Sequence, residues 1–280
     1  MSKLLTLREA IKPIDDGAVI ALGGNVLHRA PIGALLELIA QGKNDLHIVK
    51  TAGAHDVDLL CAFGRVKEVT FGFISYEAPY GFCSYFRRAV EKGLVMAREN
   101  ACYTVITGLR AAAYGVGFLP VRGLDGSDLQ KSLGTRMVEN PYSGEKYVAV
   151  PAIRPDFAII HVQEADMYGN CKIYGPKYED PIMARAARNV IATAERIVKP
   201  DIFRISPDYA DIPGNLVTAV VELPNGALPG SCAGIYTIDD YLMRLFLKAD
   251  SPESLDDYVR TLREKITMTA RGDNHDSENR

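Results

Sequence analysis

Four stretches of the chain concentrate residues that can do chemistry. The first is Gly23-Gly24-Asn25-Val26-Leu27-His28-Arg29-Ala30-Pro31. Two successive glycines let a backbone take positive φ and come close to a ligand. A helix opening at Pro31 would point free N–H groups at the same space, and Arg29 could hold a phosphate or carboxylate. The spacing is not the G-x-G-x-x-G of a dinucleotide site, and the G-K-[ST] ending of a P-loop is missing. A tight strand-to-helix turn without any ligand explains the same residues. The second stretch, His161 to Asn170, runs an apolar segment straight into polar groups. Glu164 and Asp166 could work as acid–base carboxylates. Asp166 is equally suited to brace a turn with Gly169 and Asn170.

The third stretch is Ser75-Tyr76-Glu77, a hydroxyl, a phenol and a carboxylate at the end of a predicted strand. These could line a substrate pocket or sit on an ordinary surface loop. The fourth, Pro224-Asn225-Gly226-Ala227-Leu228-Pro229-Gly230-Ser231-Cys232, reads as an ordered, specific loop. Its Ser-Cys pair lacks the Gly-x-Ser-x-Gly frame of a nucleophile elbow, and few histidines are available as bases. The histidines (His28, His47, His55, His161, His275) have no metal-ligand spacing, so no metal is expected. The five cysteines (Cys61, Cys83, Cys102, Cys171, Cys232) form no CxxC pair and read as reduced core thiols.

The elements that must position these groups alternate between short apolar runs and helical periods. Strands are predicted at 18–22, 46–49, 69–73, 157–162, 189–194 and 216–223. Helices are predicted at 32–39, 56–63, 85–92, 103–113, 182–188, 241–248 and 254–266. Residues 123–146, rich in Gly, Ser, Asn and Pro, read as a long excursion outside the core. Residues 269–280 read as a frayed polar tail, leaving 1–268 as a single domain. Strands alternating with helices imply an open, mostly parallel, doubly wound α/β sheet with flanking helices. Its ligand crevice lies at the carboxyl ends of the strands.

Composition excludes several classes. The chain has 280 residues, 48% hydrophobic and 24% charged, and a net charge of -3 from 32 basic and 35 acidic side chains. That gives no electrostatic footprint for nucleic acid or a membrane surface. No run approaches the ~18 apolar residues of a spanning helix, and the first residues carry no secretory signal pattern. A cytoplasmic location is expected.

Taken together, the motifs resemble the α subunits of family I CoA-transferases, the group of glutaconate and 3-oxoacid CoA-transferases. The resemblance rests on Gly23-Gly24 with Arg29-Ala30-Pro31, on Asp45 to Val49 and Val66 to Glu77, and on the Ala-Asp-x-x-Gly-Asn core ending at Asn170. Ala194 to Val198 and the stretch from Pro224 through Cys232 to Tyr236 complete it, so that it covers roughly residues 5–250. It implies an enzyme subunit that moves CoA from an acyl-CoA to a carboxylic acid. The catalytic glutamate, which becomes a glutamyl-CoA thioester, would belong to a β subunit partner in a heterodimer or larger heteromer. CoA thioester would be substrate, with no permanently bound cofactor. In this setting Gly23, Gly24, Asn25 and Arg29 would face CoA or a developing oxyanion, and Ser75, Tyr76 and Glu77 the acyl group. Asp166, Gly169 and Asn170 would shape a turn. A ring-opening hydrolase branch of the family is expected to place a glutamate around 98–103, where this chain has Cys102, with Glu99 three residues earlier. A non-catalytic protein that binds CoA or a phosphometabolite is the alternative from another class.

Overall fold

The computed structural model describes residues 1–124 and 126–272. Its strands are β1 Val19–Leu22, β2 Leu46–Gly53, β3 Val66–Ile74, β4 Met96–Glu99, β5 Phe118–Val121, β6 Arg136–Glu139, β7 Lys146–Pro151, β8 Phe157–Ala165, β9 Cys171–Lys172, β10 Asn189–Ile197 and β11 Ala219–Glu222. The α-helices are α1 Leu7–Ile11, α2 Ile32–Ala40, α3 His55–Ala62, α4 Ser84–Glu91, α5 Cys102–Ala113, α6 Asp128–Ser132, α7 Asp180–Ala186, α8 Asp201–Ile205, α9 Asp240–Lys248 and α10 Pro252–Gly272.

The main sheet runs β11-β10-β8-β1-β2-β3-β4, with every neighbouring pair parallel and β9 added antiparallel to β8. It is the open, doubly wound sheet that the alternation of elements predicts. Strand β8 is buried along eight of its nine residues, as a parallel strand covered on both faces must be. One face packs against α1, α2, α3, α4, α9 and α10, and the other against α5 and α7. Helix α2 follows its sequence pattern, with Ile32, Leu35, Leu36 and Ile39 all buried.

Three departures from the sequence reading matter. Residues 123–146 are not a structureless excursion. With their neighbours they build an antiparallel sheet, β5-β7-β6, around Val121, Leu124, Val148 and Val150. Its outer strands are short and mostly exposed, which leaves no hydrophobic period to read. Strand β4 has no burial at all to announce it. Helix α10 extends four residues into the predicted tail, while 273–280 lie outside the described residues.

Helix α5 meets the sheet over Gly72 of β3. A Cβ there would lie 2.4 Å from the Cα of Cys102 and 2.5 Å from its nitrogen. The obstacle is backbone, which cannot swing aside as a side-chain tip can. Gly72→Ala should therefore destabilise the fold by about 1–3 kcal/mol. An unchanged urea midpoint for the variant would show that α5 is not seated this closely.

Candidate functional site

The winding direction reverses between β1 and β8. From β1 the chain passes through α2 to β2 on one side, and from β8 through α7 to β10 on the other. In a doubly wound sheet the ligand crevice is expected at the carboxyl ends of the strands beside such a reversal.

Two buried ion pairs lie beneath the loops at those strand ends. Lys50, 1% exposed, projects from β2 and donates to the carbonyls of Leu22 (3.2 Å), Gly23 (2.6 Å) and Gly24 (3.0 Å). It also pairs with Asp56 at 2.9 Å. Asp56 in turn accepts the N–H groups of Ala54 and Val57. Arg29, 2% exposed, donates to Asp180 at 2.7 Å and to the carbonyls of His161 (2.8 Å) and Pro176 (3.0 Å). The other oxygen of Asp180 accepts the Gly24 N–H at 2.9 Å. A buried charge is tolerable only with its partners in place, and both cations are surrounded by acceptors.

This corrects the reading of the glycine loop. The backbone donors expected to face a ligand are committed inside the chain: Gly23 N–H to Ile159, Gly24 N–H to Asp180 and Asn25 N–H to His28. Gly24 has φ +71, and a Cβ on it would sit 2.3 Å from the His28 carbonyl, so the glycine serves the tightness of the turn. The Arg29 guanidinium is an internal brace rather than an open anion site. What the loop leaves available is the half-buried Asn25 side-chain amide, which has no hydrogen-bond partner among the described residues.

Ser75, Tyr76 and Glu77 do not act as one group. Tyr76 is 2% exposed and turns into the helical layer. Its hydroxyl donates to Asp58 at 3.0 Å and lies 3.3 Å from His55, whose other nitrogen meets the Tyr258 hydroxyl at 2.7 Å. The sequence reading of Tyr76 as a pocket residue fails because the segment just after β3 turns that side chain into the core. Ser75 donates to the Gly81 carbonyl at 2.9 Å, and Glu77 stands exposed at φ 64.

Asp166 is fully buried and accepts the N–H groups of Tyr168 (2.8 Å) and Asn170 (3.0 Å) and the Asn170 amide (2.7 Å). Gly169 takes φ 93 in this turn, and Asn170 passes the link on to Gly214. Glu164 also lies on β8, bound by Arg196 and Tyr174.

Glu99 ends the exposed edge strand β4. Cys102 opens α5, with its Sγ 3.6 Å from the Thr51 carbonyl of β2. Burial, and next the charge of Glu179, raise the Cys102 thiol pKa, so the thiol stays protonated. Glu179, half-buried just before α7, has its own pKa raised by burial, with Asp180 adding to the shift and Lys50 and Arg110 opposing it. A carboxyl group kept partly dry beside a charged network is suited to acid–base work. The sequence reading missed it, although Glu179-Asp180-Pro181 has the form of a helix start.

His161, Glu195 and Cys232 bring potential metal ligands within 4.8 Å of one another. Both ring nitrogens of His161 are already bonded, to Thr193 (2.8 Å) and Glu195 (2.7 Å). Burial pushes the Cys232 thiol up to about 12. These residues form a hydrogen-bonded brace, which Tyr236 completes by donating to Glu195.

Residues 4–223 match the family model for coenzyme A transferase. The chain belongs to the coenzyme A transferase family. It is 34% identical to the A-type subunit of glutaconate CoA-transferase from Acidaminococcus fermentans, over 90% of this chain and 85% of that one. It is 35% identical to the A-type subunit of 3-oxoadipate CoA-transferase from Pseudomonas knackmussii, over 86% of each. The IpdA subunit of the cholesterol ring-cleaving hydrolase of Rhodococcus jostii is 30% identical, over 92% and 91%. Among solved structures, the Acidaminococcus fermentans glutaconate CoA-transferase superposes with a TM-score of 0.86, covering 93% of this chain and 88% of that chain at 34% identity. A variant of the decarboxylase AibA/AibB gives 0.85, covering 94% and 99%, also at 34% identity. The family match takes in both buried ion pairs of the crevice. No described helix is long and apolar enough to cross a membrane.

Two predictions concern the charges beneath the site. Lys50→Met leaves Asp56 buried without its counter-ion and should cost about 3–5 kcal/mol; a loss below about 1 kcal/mol in urea unfolding would contradict the pairing. The second concerns acid stability. Burial lowers His55 from 6.5 to about 3, so this residue contributes stability at neutral pH that is lost as pH falls through that window. Burial raises Asp58 from 3.8 to about 6, against the hydrogen bonds it accepts from Phe86 and Tyr76. Its contribution is present at low pH and is lost as pH rises from about 4 to about 6. The two slopes oppose each other, and that of His55 is larger. Asp58→Asn removes the compensating slope, so its unfolding free energy should fall more steeply than the parent's between pH 6 and pH 4. Parallel curves for parent and variant would sink this assignment.

Proposed function

We propose that the chain is the A-type subunit of a CoA-transferase and works with a B-type partner that carries the catalytic glutamate. The observation carrying this reading is the similarity, along nearly the whole chain, to the A-type subunit of glutaconate CoA-transferase. In the proposed reaction the partner's carboxylate attacks the thioester carbonyl and the C–S bond breaks. The released thiolate attacks the glutamyl carbonyl of the resulting anhydride and frees the first carboxylate. The acceptor carboxylate then attacks the glutamyl-CoA thioester, and the returning thiolate yields the new acyl-CoA.

A carboxylate is a weak nucleophile and needs a fixed, partly dry site. This chain supplies one wall of it. The Lys50 and Arg29 networks hold the glycine turn rigid, and the Asn25 amide can donate to oxygen as negative charge develops there. The five cysteines are free, which supports a reducing, cytoplasmic setting.

A second reading, a hydrolase or ring-opening enzyme acting on a CoA thioester, draws on the similarity to the IpdA subunit of a cholesterol ring-cleaving hydrolase and on the carboxyl group of Glu179 near Cys102. In that reading Glu179 takes the acid–base role rather than the exposed Glu99.

Co-expression with a B-type partner, followed by mass spectrometry after adding acyl-CoA, should reveal a CoA adduct on a partner glutamate that a carboxylic acid discharges. CoA release that needs only water would replace the transferase reading with the hydrolase one. In the active complex, Asn25→Ala should lower kcat by about a hundredfold with KM little changed. An unaltered kcat would remove Asn25 from the reacting centre.

A further inference from the structure

Beside the crevice, on its β8–β10–β11 side, lies a cavity of about 590 Å³ whose polar corner is a histidine–serine pair. His28 and Ser231 are 203 positions apart, yet Nδ1 of one lies 2.5 Å from Oγ of the other. The backbone fixes this meeting. Ser231 N–H donates to Leu27 (2.7 Å) and Arg29 N–H donates to Ser231 (2.8 Å), making a parallel bridge at His28. His28 is exposed and Ser231 half-buried, so the pair opens to the cavity. The backbone N–H groups of Ala233 and Gly234, also in the lining, have no acceptor among the described residues.

The walls have a different character. Tyr174 and Tyr236 turn their hydroxyls away, onto Glu164 (2.9 Å) and Glu195 (2.5 Å), and leave their rings to the cavity. Tyr178 covers the Arg29 guanidinium at 5.8 Å, and Ile235 adds aliphatic surface. No carboxylate is among the lining residues. An apolar chamber with donors gathered at one corner matches an organic acid with an apolar body.

We propose that this cavity binds the carboxylate of such an acid at His28 and Ser231. With the imidazole protonated, Nδ1–H donates to Oγ. Both the Ser231 O–H and the His28 Nε2–H are then free to donate to the ligand. If the chain is the proposed transferase subunit, the acid is an acceptor or the far end of an acyl group. Only that last identification rests on the transferase reading; binding to the chain alone does not.

The test is histidine-ring NMR on the full chain, without CoA or partner. The His28 signals are assigned by their loss in His28→Gln, and the remaining histidines report that each variant is folded. Sodium hexanoate should shift the His28 signals saturably. Hexanamide, its neutral counterpart, should bind about tenfold more weakly, as expected for loss of a hydrogen bond to charge. Ser231→Ala should weaken hexanoate about fivefold. Absence of a saturable shift, equal binding of the amide, or an unchanged affinity in Ser231→Ala would each overturn the proposal. Because no acyl transfer is measured, these results stand apart from the CoA-adduct experiment.

Discussion

The crevice depends on charges placed where a parallel sheet would ordinarily bury only hydrocarbon. Asp180 reaches across from the β8 side to hold Arg29 and the Gly24 amide of the β1 loop. Lys50 reaches under the same loop to its carbonyls. A doubly wound sheet splits at its switch point because the chain leaves in opposite directions on either side. Here the split is bridged by an ion pair between residues 151 positions apart. Each charge would be costly alone, and each is acceptable because the others are present. The turn is thereby held in one conformation, and little of its own polar surface remains to be satisfied by a ligand.

That arrangement divides the labour among the polar residues. Arg29, Asp180, Lys50 and Asp56 hold the framework. Asn25 and Glu179, both half-buried, lie beside that framework. His161, Glu195 and Tyr236 form a second internal brace behind the neighbouring cavity. A functional wall of this kind is fixed by neighbours that never meet the substrate, and replacing one of them misplaces the reacting groups rather than removing them.

The sheet is legible in the sequence because buried parallel strands read as continuous apolar runs. Phe157 to Val162 announces β8 in this way, and the period of Ile32, Leu35, Leu36 and Ile39 announces α2. The site is less legible, for reasons that are physical. Glycines and an arginine in a loop have the same types whether their donors face a ligand or each other. The choice is made by Asp180, which no local pattern connects to them. Lys50 follows directly on Leu46-His47-Ile48-Val49 and so looks like the end of a strand, whereas β2 continues to Gly53 with Lys50 buried. Tyr76 misleads because its inward direction is set by Asp58 and His55 of α3, which no local pattern connects to it. The His28–Ser231 meeting depends on a backbone bridge formed only in the fold. The small antiparallel sheet escapes notice because its outer strands have almost no buried face to leave a pattern.

The two ends of the main sheet differ in one further respect. At β11 the N-terminal segment lies alongside the last strand, with Leu5 N–H donating to Val220 and Val220 N–H to Lys3. At β4 no further strand of the sheet follows among the described residues. A sheet with two open margins can add neighbours without limit, which is the route to fibres. Here the N-terminal segment covers one margin only at Val220, and the other is carried by a four-residue strand, too short to template a long ladder.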